Sequence, residues 1–139
     1  MYLLDTNVVS ELRKVRSGKA DLNVAAWADS VEAALLFISV ITVQELEIGV
    51  LLAERRDEAQ GALLRRWLNE HVLPSFEGRI ISVDTNIVAR SASLHVPGPR
   101  PFRDGLSAAT ALVHGLTVVT RNTHDFEPTG VALINPWEQ

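Results

Sequence analysis

Apolar positions along the chain change period repeatedly, and each change predicts an element. Tyr2-Leu3-Leu4 is a short apolar run, read as a strand that ends on Asp5-Thr6-Asn7. Val8 to Lys14 predicts a short helix, broken at Gly18, and Val24-Ala25-Ala26-Trp27 a second, with Asp21 or Asn23 as its cap. Leu35-Leu36-Phe37-Ile38 is apolar throughout, as expected for a strand in a sheet covered on both faces. From Thr42 the spacing turns helical, with Leu46, Val50 and Leu51 on one side. Between Asp57 and Val72 the residues Leu63, Leu64, Trp67, Leu68 and Val72 recur at helical spacing, and Pro74 predicts the stop. Arg79–Val83 reads as a third strand, after which Asp84 caps a helix carrying Ile87, Val88 and Leu94. Asp104 opens another helical run, Leu116–Thr120 is a fourth strand, and Val131–Ile134 a last one closed by Pro136.

The segment Pro97-Gly98-Pro99-Arg100-Pro101 can be neither helix nor central strand. It reads as a stiff surface connection within one domain spanning residues 1–139, because the chain after it is too short to fold alone. Strands alternating with helices predict an α/β fold with a mostly parallel central sheet. Ligands of such sheets bind outside the carboxyl ends of the strands. Asp5 ends the first strand, Glu45 follows the second, and Asn122 and Asp125 follow the fourth. Asp104 opens the helix that feeds the fourth strand. These residues therefore fall on one edge of the predicted sheet.

Composition narrows the class. A chain of 139 residues, 47% apolar and 22% charged, is long enough to bury a core. Having no cysteine, it excludes disulfides, thiolate zinc sites and a cysteine nucleophile, and it is compatible with a reducing cytoplasm, the expected location. The first residues lack the basic start of a signal peptide, and no apolar run approaches the roughly 20 residues of a membrane span. A net charge of −4 argues against a nucleic-acid partner, although the balance is local. Basic residues still cluster locally at Arg13, Lys14, Arg16 and Lys19, a patch that also fits an ordinary solvated helix end.

Each candidate acid has an ordinary alternative. Asp5 can be the N-cap of the Val8 helix. Thr42-Val43-Gln44-Glu45 has the spacing of a capping box. Asp104 suits the first turn of a helix, and Asp125 lies in a turn-rich stretch. Their coincidence at one edge is what a set of caps does not explain. Clustered carboxylates repel and raise one another's pKa unless a cation joins them. An oxygen-only donor set points to Mg²⁺ or Mn²⁺. Asp84-Thr85-Asn86 repeats the Asp5-Thr6-Asn7 pattern, and Asp84 is read as a plain cap because no later acid can share an ion with it. His71, His95, His114 and His124 lack metal-ligand spacing, although His124 falls close to the expected site. There is no ordered Ser/His/Asp set, dinucleotide fingerprint or P-loop.

Taken in order, these residues resemble a family. Asp5-Thr6-Asn7 after an N-terminal strand, Glu45 in Thr-Val-Gln-Glu-Leu, and Asp104-Gly-Leu-Ser-Ala-Ala-Thr-Ala, with Val118-Val119-Thr120-Arg121-Asn122 and Asp125-Phe126, resemble the PIN-domain ribonucleases. More narrowly, the chain is similar to the toxin half of VapBC or FitAB toxin–antitoxin pairs. The resemblance implies a three-layer α/β/α sandwich, a Mg²⁺- or Mn²⁺-dependent RNA endonuclease, a homodimer, and a cognate antitoxin that blocks the site. It places the family's four acids on Asp5, Glu45, Asp104 and Asp125 as catalytic and metal-holding residues. It places the supporting polar positions on Thr6, Asn7, Thr120 and Asn122. Ser107 stands where an aliphatic residue is usual. Arg121 is the cation nearest in sequence to contact RNA, with Arg13, Lys14, Arg100 and Arg103 as further candidates.

Two other classes compete. A haloacid-dehalogenase-like phosphohydrolase also starts from an Asp after the first strand, but it needs a second Asp where Asn7 stands, and no positioned lysine follows. A catalytically inactive nucleic-acid-binding subunit would have no need of all four acids.

Overall fold

A computed structural model describes residues 1–138. Its centre is a sheet of five parallel strands: β1 (Tyr2–Leu4), β2 (Leu36–Ser39), β3 (Ile80–Ile81), β4 (Thr117–Val119) and β5 (Leu133–Ile134), in the order β3-β2-β1-β4-β5. Register is set by Tyr2 opposite both Leu36 and Thr117, Ile38 opposite Ile80, and Val118 opposite Leu133. The chain builds outward from β1 to β3, then crosses back and lays β4 on the other side of β1. The order thus reverses between β1 and β4, where a parallel sheet opens a crevice beyond its strand ends.

Side chains alternate across each strand, so neighbouring residues feed opposite layers. Leu4, Ile38 and Val119 pack with Val8, Trp27, Leu46, Val50 and Leu68 on one face. Leu3 and Val118 pack with Ala108, Ala111, Leu116 and Phe126 on the other. The first layer holds α1 (Thr6–Leu12), α2 (Leu22–Ser30), α3 (Val40–Arg56) and the segment after α4 (Glu58–Trp67). That segment is a π-helical turn, Leu68–Val72, running into α5 (Leu73–Ser75). The second layer holds α7 (Phe102–His114) and α8 (Thr123–Phe126), with α6 (Thr85–Leu94) against α7. This is the expected α/β/α sandwich. Among the described residues, no helix is long and apolar enough to cross a membrane.

Several boundaries differ from the sequence reading. Helix α3 starts at Val40 because Ser39, the last residue of β2, caps it by accepting from the Ile41 N–H at 2.9 Å. Thr42 is therefore inside the helix and buried, and its capping-box pattern with Glu45 is coincidental. Leu51, Leu63 and Val88 face outward, not into the core. Pro74 lies near the end of the continuous helical run over residues 58–75, which stops one residue beyond it. The strands are shorter than their apolar runs, because pairing ends where the neighbouring strand ends: β3 keeps only two of the five residues from Arg79 to Val83.

Candidate active site

Asp5 is the first residue beyond β1, at the reversal point of the sheet. Its backbone N–H donates to the Val119 carbonyl at 2.9 Å, which ties it to β4. One carboxylate oxygen accepts from the Thr6 N–H at 2.9 Å and caps α1. The other accepts from the Thr120 hydroxyl at 2.7 Å and the Asn7 amide at 3.3 Å. Thr120 is fully buried and also accepts from the Asn122 N–H at 3.0 Å. Asn7 in turn accepts from the Arg121 N–H at 3.2 Å. The polar residues after β1 and β4 thus form one network whose centre is the Asp5 carboxylate.

Glu45 reaches the same place from the second turn of α3. Thr6 donates its hydroxyl to one Glu45 oxygen at 2.7 Å, and Arg103 approaches the other at 3.4 Å. Asp104 comes from the first turn of α7 and Asp125 from the first turn of α8. Together Asp5, Glu45, Asp104 and Asp125 line a cavity of about 290 Å³, with Thr6, Asn7, Arg103, Ser107 and Asn122 completing its wall. Burial raises the Asp104 carboxyl above its ordinary value of 3.8, and the charges of Asp5, Asp125 and Glu45 raise it further, against an opposing pull from Arg103. An excess of negative charge is therefore held here in partial isolation from water.

Oxygen-only donors and uncompensated charge fit a hard divalent cation. The carboxylates are nevertheless not gathered into a ready ligand set: among the described residues no three acids or histidines are placed to hold an ion as they stand. Glu45 gives one oxygen to Thr6 and the other to Arg103. The donor chemistry fits a metal.

The remaining candidates take the following places. The Arg121 guanidinium lies over the Trp137 ring at 5.2 Å and does not line the cavity; its contribution is the backbone bond to Asn7. Arg103 is the cation at the cavity wall, and its position next to Asp104 was the signal for it. His124 points into solvent beside Glu127, at 3.9 Å. Ser107, one turn on from Asp104, lines the cavity as well. Asp84 behaves as a cap, accepting from the Ile87 N–H at 3.0 Å.

Comparisons with known proteins agree on one family. The PIN domain model matches residues 2–130. The VapC ribonuclease Y4jK of Sinorhizobium fredii is 38% identical over 143 aligned positions, covering 99% of both chains. Toxin FitB of Neisseria gonorrhoeae is 37% identical, again over 99% of each. Among solved structures, the crystal structure of FitAcB from Neisseria gonorrhoeae superposes with a TM-score of 0.90, at 37% identity and full coverage of both chains.

Proposed function

The chain belongs to the PIN-domain family, and from that premise we propose that it is the ribonuclease toxin of a toxin–antitoxin pair, hydrolysing RNA phosphodiester bonds with Mg²⁺ or Mn²⁺. The observation that carries the reading is the convergence of Asp5, Glu45, Asp104 and Asp125 on one cavity at the sheet reversal. Relatives named as VapC ribonucleases and as a FitB toxin support the activity and the biological role. Solved complexes of FitAB and VapBC support a protein antitoxin as partner. A homodimer is part of the same proposal.

When bound, the divalent ion would lower the pKa of a water and offset charge on the phosphoryl oxygens. Asp5 and Asp104 would hold it, with Glu45 and Asp125 completing its surroundings. The protein's own residues do the positioning. Thr120 and Asn7 fix the second oxygen of Asp5, while Thr6 fixes one oxygen of Glu45. Such outer partners orient ligands that would otherwise rotate. The Asp125 carboxylate makes no hydrogen bond among the described residues and is free to accept one from the attacking water. As that water's oxygen bonds to phosphorus, its proton passes to the Asp125 carboxylate, the bond to the leaving ribose oxygen breaks, and that oxygen takes a proton from solvent. Arg103 supplies positive charge at the wall of a cavity that otherwise repels phosphate.

The test combines purified protein, a mixed RNA pool and Mg²⁺ or Mn²⁺, with and without chelator. Metal-dependent internal cleavage is expected, together with its loss in Asp104→Asn. Cleavage that survives in Asp104→Asn would overturn the assignment. Co-expression with the cognate antitoxin should rescue growth and suppress cleavage; an antitoxin that binds without slowing cleavage would contradict inhibition at this site.

A further inference from the structure

We propose that Phe102 and Arg103, consecutive on the first turn of α7, form a nucleotide subsite beside the carboxylate cavity, with an unpaired RNA base stacked on the Phe102 ring and its phosphate on Arg103. The proposal rests on the reading of the chain as a ribonuclease and names the part of the substrate it grips.

Phe102 is the first residue of α7 and is 79% exposed. It is the one aromatic among the exposed large apolar side chains of the described residues. The other phenylalanines lie at least partly inside the fold, Phe126 almost completely. This ring stands two residues before Asp104 in the first turn of α7. It is also held in place. The His95 ring meets it edge-on, with centroids 5.4 Å apart. His95 is itself anchored: its Nδ1 accepts from the Arg100 N–H at 3.2 Å, and its Nε2 is buried against Gly105. A Cβ at position 105 would stand 2.9 Å from that nitrogen, so glycine is what lets the imidazole sit against the first turn of α7. One side of the Phe102 ring is thus braced while most of its surface stays open.

Arg103 supplies the matching charge. It is two-thirds exposed, lines the cavity, and has Glu45 at 3.4 Å as its one hydrogen-bond partner among the described residues. An exposed ion pair of this length adds little stability, so the guanidinium can exchange a carboxylate for a phosphate at small cost. Aromatic stacking beside a cation is how single-stranded nucleic acid is held without reading its sequence. A regular duplex hides its base faces and cannot use the ring.

Binding is measured by fluorescence anisotropy with a labelled single-stranded RNA of about ten nucleotides, a length within the site sizes of such grooves. Asp104→Asn in Mg²⁺ is the parent protein, so that the probe is not cut. Adding Phe102→Leu should weaken binding by roughly tenfold or more, the scale of one lost base stack, and Phe102→Tyr should restore it. Adding Arg103→Gln should weaken binding and flatten its salt dependence by about one phosphate contact. A duplex of the same sequence should be indifferent to Phe102→Leu. Equal binding by the Phe102→Leu protein, or equal losses on single strand and duplex, overturns the subsite. So does a loss that tracks a change of oligomeric state in sedimentation, which would make the ring a contact between copies. If the parent binds RNA and only the two additions have no effect, the subsite falls alone; the ribonuclease reading falls with it if the native protein fails to cleave RNA in Mg²⁺ or Mn²⁺.

Discussion

Replacing Thr120 with valine removes one hydroxyl and almost no volume, and it probes the device that holds Asp5. The hydroxyl donates to the Asp5 carboxylate at 2.7 Å and accepts from the Asn122 N–H at 3.0 Å and the Asn7 amide at 3.4 Å. Hydrogen bonds to charged groups are worth about 1.5–3 kcal/mol. Asp5 is only partly buried and Asn122 is exposed, so water recovers some of what is lost. Burial of the new methyl group offsets a little more. The net cost is about 2 kcal/mol, a fall in Tm of roughly 6–8 °C for a chain of this size. The functional cost is separate. An Asp5 free to rotate loses its pre-set direction toward the cavity, and loss of such a partner typically lowers metal affinity or activity by about 10- to 100-fold. Scanning calorimetry and an RNA cleavage assay read the two effects independently. Thr120→Ser keeps the hydroxyl and should keep most of the activity. If Thr120→Val cleaves RNA at the native rate, the network does not orient Asp5. If Thr120→Ser is as impaired as Thr120→Val, packing of the methyl group is what matters, and the hydrogen-bond argument is wrong.

Asp104→Asn should lower cleavage by about three orders of magnitude, since several kcal/mol of charge stabilisation depend on the ion; Asp84→Asn should leave activity unchanged because asparagine caps a helix almost as well. Asp104→Asn should also be more stable than the native protein at neutral pH. The native carboxyl holds its proton more tightly than the unfolded one, so its stabilising contribution is full below the ordinary value of 3.8 and is lost as pH rises through the raised value. Urea unfolding of both proteins at neutral and acid pH tests this, and a difference that does not shrink in acid contradicts it. Chelator should abolish cleavage and Mn²⁺ restore it. Mn²⁺ should raise the Tm of the native protein but not of Asp5→Asn. Arg103→Gln frees one Glu45 oxygen and should tighten Mn²⁺ binding in calorimetry; unchanged affinity would mean that the pair does not compete with the ion.

The sequence made the order of elements legible because the strands that matter most are covered on both faces. Tyr2–Leu4, Leu36–Ser39 and Thr117–Val119 have no polar face to obscure their apolar runs, and their centres were placed correctly. Element ends were less legible, since a strand stops where its neighbour stops and a helix starts at whichever residue happens to cap it. Ser39 and Thr42 are both good caps on paper. Only the end of β2 pairing selects Ser39, and with it the register that turns Glu45 toward Thr6. Arg121 shows the same limit in the site. It is closest in sequence to the acids, but Trp137, distant along the chain, gives its guanidinium a ring to rest on. Arg103 takes the position at the cavity by being one residue from Asp104 on a helix that points its first turn there.

The two Asp-Thr-Asn copies make the same point from the opposite direction. Both follow apolar runs, both open helices, and a local reading separates them only by the absence of later acids near Asp84. In three dimensions they differ at the carboxylate. Asp84 accepts from Ile87, the third residue of α6, as an ordinary cap does. Asp5 accepts instead from Thr6, the first residue of α1, which leaves its second oxygen turned toward β4. There the Thr120 hydroxyl meets it. That hydroxyl is available because β1 lies in the middle of the sheet with a strand on each side, whereas β3 is an edge strand paired only to β2. The Asp84 carboxylate accepts no second hydrogen bond among the described residues. The same tripeptide is therefore a cap at the edge of the sheet and the anchor of a candidate metal site at its centre. What separates them is the reversal of strand order between β1 and β4, which sets the end of β1 beside the end of β4.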